Sequence, residues 1–163
     1  MLEYDVMARV YLETSFVSAV VTDRNDPASL YRRQVSSDWW QTCRSSHDLF
    51  IAEEVLRELS HPDYPHRQAA TAMVQDLPLL PITPDVRGLA RILVRERVMP
   101  GPVAGDSVHV AVATVHGMDY LLTWNVRHLA NMNKLQHLQA VCRRVGLIPP
   151  LMVTPDQLWE YEE

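Results

Sequence analysis

The stretch from 105 to 125, GDSVHVAVATVHGMDYLLTWN, limits the possible folds of this chain more than any other. It opens on an acidic helix start at Asp106 and runs through small and branched apolar residues at helical spacing. Gly117 stops that helix, and the short apolar run DYLLTW follows as a buried strand. A helix feeding a buried strand is half of a βαβ unit, whose strands lie parallel.

The same alternation fills the rest of the chain. RVYLE (9–13) is β-prone and is followed by a helical opening at TSFVSAVV. In 26–46, Asp26 is placed as an N-cap with Pro27 at the first helical position, and Leu30, Tyr31, Val35, Trp39 and Cys43 recur at helical spacing. DLFIA (48–52) reads as a buried strand, EEVLRELS (53–60) as a helix, 66–77 as another helix and LLPI (79–82) as a strand. A helix over 83–97 is capped by Thr83, one near 134–145 ends at Gly146, and LMV (151–153) is a last strand before a capped turn. The expectation is one α/β domain over 1–163 with a mostly parallel sheet, with either Met7 as an alternative start or residues 1–6 as a short extension.

At 163 residues and 47% hydrophobic, the chain has material for one core and too little for two ordinary domains. No apolar run approaches the ~18 residues of a membrane span, and no basic flank precedes an apolar N-terminal segment, so a soluble, unprocessed protein is expected. Cys43 and Cys142 are too few for a disulfide framework, which fits a reducing cytoplasm. A net charge of -5 argues against indiscriminate polyanion binding but leaves room for a local basic groove. With only five glycines and no glycine-rich phosphate loop, P-loop and dinucleotide-binding readings are excluded. The seven histidines form no zinc pattern: His109 and His116 sit two helical turns apart, and both read as packed, hydrogen-bonded side chains. Arg87, Arg91 and Arg95 share one helix face, with solvation as the default reading and a phosphate track as the alternative.

Ligands of open parallel sheets sit at the carboxyl ends of the strands. Glu13 ends the first strand, Asn125 follows DYLLTW, and Asp106 starts the helix leading into that strand. Taken singly, Asp106 is an N-cap, Glu13 a solvated strand-end charge and Asn125 a turn residue. Together they suggest a cation, because carboxylates gathered at one edge repel unless a cation joins them, and Mg²⁺ suits oxygen ligands. Glu54 and Glu58 share a helix face, which costs a little unless something compensates.

The segments VYLETSFVS, LFIAEEVLRELS, GDSVHVAVATVHGMDYLLTWNVRHLAN and VTPDQL together resemble a PIN-domain protein, of the VapC-like kind found as toxins of type II toxin–antitoxin pairs. The resemblance runs from about Met7 to the last helix and is most specific in HVAVATVHGMDYLLTWNVRHLAN. It implies a three-layer α/β domain with a central parallel sheet flanked by helices, and an acidic cluster at one sheet edge. It also implies Mg²⁺- or Mn²⁺-dependent endoribonuclease cleavage of RNA to a 3′-hydroxyl and a 5′-phosphate, and a small antitoxin that blocks the site. The four acidic positions of the family fall on Glu13, Glu58, Asp106 and Asn125, with Glu in place of the usual Asp at the first and Asn in place of Asp at the fourth. The resemblance makes Glu13 and Asp106 metal ligands, has Glu58 act directly or through water, and leaves Asn125 to orient water or substrate. Thr14 and Ser15 match hydroxyl positions beside the first acid and Thr123 the one before the fourth. Ser15, Thr123, Arg127 and His128 are candidate substrate contacts, the last two equally suited to opening the next helix. The two departures define an alternative: a degenerate PIN module that binds RNA or a protein without cutting. Part of the stripe Leu30, Tyr31, Val35 and Trp39, with neighbouring Trp40, is expected to form an antitoxin or homodimer contact.

Overall fold

Val10, Tyr11 and Leu12 follow one another in the first strand, and none has exposed surface. Neighbouring strand side chains point to opposite faces, so this sheet is covered on both sides. The computed structural model describes residues 7–159; the proposed extension at 1–6 lies outside them. The elements in order are β1 (Ala8–Leu12), α1 (Thr14–Val21), α2 (Pro27–Thr42), β2 (His47–Ala52), α3 (Glu53–Leu59), α4 (Arg67–Val74), β3 (Leu79–Leu80), α5 (Pro84–Arg95), α6 (Asp106–Val115), β4 (Tyr120–Leu122), α7 (Met132–Arg144) and β5 (Leu151–Val153).

The sheet order is β3-β2-β1-β4-β5 and every pairing is parallel. Val10 of β1 pairs with Leu49 on one side and Tyr120 on the other, so β1 is central. The chain builds outward from β1 through β2 to β3, then returns to the far side of β1 for β4 and β5. The order therefore reverses between β1 and β4, and at such a switch point the two following loops part and leave a crevice. Glu13 follows β1 there, with its backbone N–H on Leu122 O at 3.1 Å, and Thr123–Asn125 follow β4.

Local chemistry accounts for the helix starts. Asp26 accepts from Ser29 N–H with Pro27 behind it, and Thr83 accepts from Val86 N–H with Pro84 behind it. At α6 the cap is Gly105, whose φ of 60° favours a residue without Cβ, so Asp106 is not the cap of its helix. As the first helical residue, it keeps its carboxylate for another contact. α6 is also buried more widely than a single stripe: Ser107, His109 and everything from Val110 to Thr114 are covered, while Val108 and Val115 are only partly so. It packs against both α5 and α3.

The apolar stripe of α2 divides. Trp39 is fully buried, edge-on to Phe16 at 5.5 Å, and its Nε1–H donates to Leu158 O at 2.7 Å. Tyr31 O–H donates to Asp156 at 2.8 Å. The segment after β5 thus covers part of the stripe, and Trp39 is closed to any outside partner. Periodicity reveals an apolar face but not which element will cover it. No helix among the described residues is long and apolar enough to cross a membrane.

Candidate active site

Glu13 caps α1, and one oxygen does most of its bonding. Oε2 accepts from Ser15 N–H at 3.0 Å, from the Thr123 hydroxyl at 2.8 Å and, at close range, from the Ser15 hydroxyl. Backbone N–H groups decide these directions. Trp124 N–H donates to Ser15 Oγ at 2.8 Å and Asn125 N–H to Thr123 Oγ1 at 2.9 Å, leaving both hydroxyl hydrogens for the carboxylate. With 5% exposure, a carboxylate here needs such donors, and it has three. Its Oε1 has no hydrogen-bond partner among the described residues.

Glu58 reaches the same place from α3. Its Oε1 accepts from the Thr14 hydroxyl at 2.8 Å and meets His109 Nε2 at close range, while Oε2 is without a partner among the described residues. His109 comes from α6 and is fully buried, with Nδ1 2.6 Å from Tyr11 Oη. Burial pushes the Glu58 pKa up, but the His109 and Thr14 hydrogen bonds, with the charges of His109 and Arg57, outweigh it and hold the group below its ordinary value. For His109, burial pulls the pKa down, while the Glu58 hydrogen bond and the charges of Glu13, Glu58 and Glu54 bring it above the usual histidine value. A carboxylate oxygen of each glutamate and a ring nitrogen of His109 lie within 4.8 Å of one another.

His109 is packed and hydrogen-bonded, as the sequence leads one to expect, but its partners tie it to the acidic cluster. The signal was its place three residues after Asp106, as the one ionisable side chain among the buried residues of the helix. The neighbouring acids serve different ends. Glu53 is exposed, while buried Glu54 accepts from Arg57 and from Gly105 N–H at 2.9 Å, anchoring the start of α6. Glu54 and Glu58 therefore each have their own donors, which compensates their like charge on one helix face.

Asp106 pairs with Asn125, whose Nδ2 donates to Oδ1 at 3.2 Å and Oδ2 at 3.1 Å. Asn125 Oδ1 accepts from His128 N–H at 3.0 Å. A backbone N–H can only donate, so the amide oxygen must face His128 and the amide hydrogens must face Asp106. Arg127 is exposed, and His128 is half-buried with Nδ1 3.3 Å from Lys134 Nζ. Both lie in the turn before α7, which Asn131 caps, and do not open that helix.

A cavity of 460 Å³ is lined by Glu13, Ser15, Glu58 and Asn125, and also by Arg24 and Arg32. Arg24 Nε is 3.4 Å from Asp26, and the Arg32 guanidinium lies 5.5 Å from the Trp124 ring centroid. Neither arginine has a periodic sequence signal. Arg87, Arg91 and Arg95, which do, are exposed on α5 and do not line this cavity.

No family model and no curated protein sequence matches the chain. Among solved structures, Mycobacterium tuberculosis VapC20, described as a sarcin-ricin loop cleaving toxin, matches with a TM-score of 0.54 at 17% identity, over 86% of this chain and 99% of that one. The fold is that of a PIN domain. In this PIN fold, Glu13 and Asn125 follow the two strands flanking the switch point. Glu58 and Asp106 meet that edge from α3 and α6, through Thr14 and Asn125 respectively. The donors are hard carboxylate oxygens, and one oxygen of each glutamate is unbonded among the described residues. That set suits Mg²⁺ or Mn²⁺ better than a softer metal.

Proposed function

We propose that the protein is a Mg²⁺- or Mn²⁺-dependent endoribonuclease and the toxin of a toxin–antitoxin pair. The observation that carries this reading is a cavity combining Glu13 and Glu58, each held through one oxygen, with two arginines. The likeness to a toxin that cleaves the sarcin-ricin loop supports an RNA substrate. Glu13 and Asp106 are the cation ligands, with Glu58 binding directly or through water. The bound cation supplies activation of a water and stabilisation of charge on the scissile phosphate. Ser15 and Thr123 hold Glu13 in place. Asn125 acts through Asp106, since its own oxygen is taken by His128 N–H. Arg24, Arg32 and Arg127 offer planar donors to substrate phosphates. The antitoxin, or a second copy of the chain, docks on the exposed part of α2 around Leu30 and Tyr31, and the protein acts in the cytoplasm as a single domain.

One observation favours the alternative of a non-cleaving module: the Asn125 amide already satisfies Asp106 without a cation. The test is cleavage of a panel of structured RNAs by purified protein, with Mn²⁺ and with chelator. The nuclease reading expects Mn²⁺-dependent products bearing a 5′-phosphate, lost in Asp106→Asn. RNA binding without products in any metal condition supports the alternative.

A further inference from the structure

Tyr11 Oη is fully buried, and its one hydrogen-bond partner among the described residues is His109 Nδ1, at 2.6 Å. A buried O–H has to donate, and a nitrogen that accepts its hydrogen carries none of its own. Glu58 draws His109 toward the charged form, but an imidazolium would put a hydrogen on Nδ1 as well and leave the Tyr11 O–H without an acceptor among the described residues. The Tyr11 contact therefore holds the ring neutral, with its hydrogen on Nε2 facing Glu58 Oε1. Thr14 donates to that same oxygen. Two donors from different elements, α6 and the start of α1, thus hold one carboxylate oxygen and leave the other unbonded in a residue that lines the cavity.

We infer that Tyr11 and His109 form a positioning pair that sets the Glu58 carboxylate for the cation, and that His109 is not itself a ligand. The cluster of Glu13, Glu58 and His109 then offers two carboxylates and a hydrogen-bond donor, not three metal donors. A metal-bound Nε2 would move the ring hydrogen to Nδ1 and leave the buried Tyr11 O–H without an acceptor.

The consequence for cleavage rests on the nuclease reading above, whereas the tautomer does not. Nitrogen-15 NMR of the His109 ring in the full chain, with and without Mg²⁺, is expected to show hydrogen on Nε2 in both states. Tyr11→Phe keeps the ring and removes the hydroxyl. It is expected to give a mixed tautomer, to weaken Mn²⁺ binding several-fold by calorimetry, and to lower kcat with KM little changed. As a second variant, His109→Gln keeps an amide donor near Nε2 and is expected to retain more Mn²⁺ affinity than His109→Leu. Hydrogen on Nδ1, loss of the Nε2 hydrogen when metal is added, or unchanged Mn²⁺ affinity in both Tyr11→Phe and His109→Leu overturns the inference. A wild type that binds Mn²⁺ but cuts no RNA counts against the nuclease reading alone, because the tautomer and affinity results still decide the role of the pair.

Discussion

Asn125→Asp changes one group and leaves the turn intact, because an aspartate oxygen can still accept from His128 N–H. What it reverses is the contact 3.1–3.2 Å away, where two N–H donations to Asp106 become a carboxylate facing a carboxylate. Hydrogen bonds to a charged group contribute about 1.5–3 kcal/mol. Two like charges at ~3 Å repel by about 1 kcal/mol in water and about 5 kcal/mol at an effective dielectric of ~20. Both residues are half-buried, so the metal-free variant should lose roughly 2–4 kcal/mol. For a chain of this size that is a drop in Tm of at least about 5 °C. The same added charge attracts a cation, and each 1.4 kcal/mol of attraction is tenfold in affinity, so Mn²⁺ should bind about tenfold tighter or more. Thermal melts in chelator and in Mn²⁺, with calorimetry under one buffer, measure both effects. Mn²⁺ should restore most of the lost Tm in the variant and raise the wild type less. A chelated variant as stable as wild type would refute the Asp106–Asn125 contact. Lost stability that Mn²⁺ fails to restore would refute the placement of a cation beside it.

Further predictions concern acid stability and thiol chemistry. Glu58 is held below its ordinary pKa, so its stabilising contribution is present above the unfolded value of about 4.3 and disappears as pH falls through the lower folded value. Glu58→Gln, which has no carboxylate to protonate, should therefore show a shallower loss of Tm below about pH 4.5, and parallel Tm–pH curves would contradict the shift. The Cys142 thiol is pushed up to about 11 by burial, so iodoacetamide at mildly alkaline pH should label it only after unfolding. Rapid labelling of the native protein, read by mass spectrometry, would contradict that burial.

Sequence alone was most informative where a residue's position follows from chain topology. Glu13 and Asn125 end strands, and a parallel sheet brings strand ends to one edge whatever the packing in between. Helix starts at Asp26 and Thr83 were readable for a similar reason, since capping is local chemistry. Contacts between elements were not. His109 looked like one more inward residue of a packed helix, and only the approach of β1 and α3 gives its two nitrogens Tyr11 and Glu58. Asp106 has the sequence position of a cap, yet the backbone turn at Gly105 moves it one place into the helix and toward Asn125. Arg24 and Arg32 join the acidic residues through the path of the α1–α2 connection, which no periodicity encodes. The stripe on α2 was visible, but its cover by the segment after β5 depends on where the chain ends up.

Calorimetric titration of the wild-type protein with Mn²⁺, beside Glu13→Gln and Asp106→Asn, probes the cation site itself, because cation binding needs no knowledge of the RNA target. A cation held by Glu13 and Asp106 gives saturable binding by the wild type and at least tenfold weaker binding by each variant, with both variants folded. Absence of binding by the wild type, or equal binding by all three proteins, would contradict a cation site at this edge of the sheet and with it the metal-dependent nuclease.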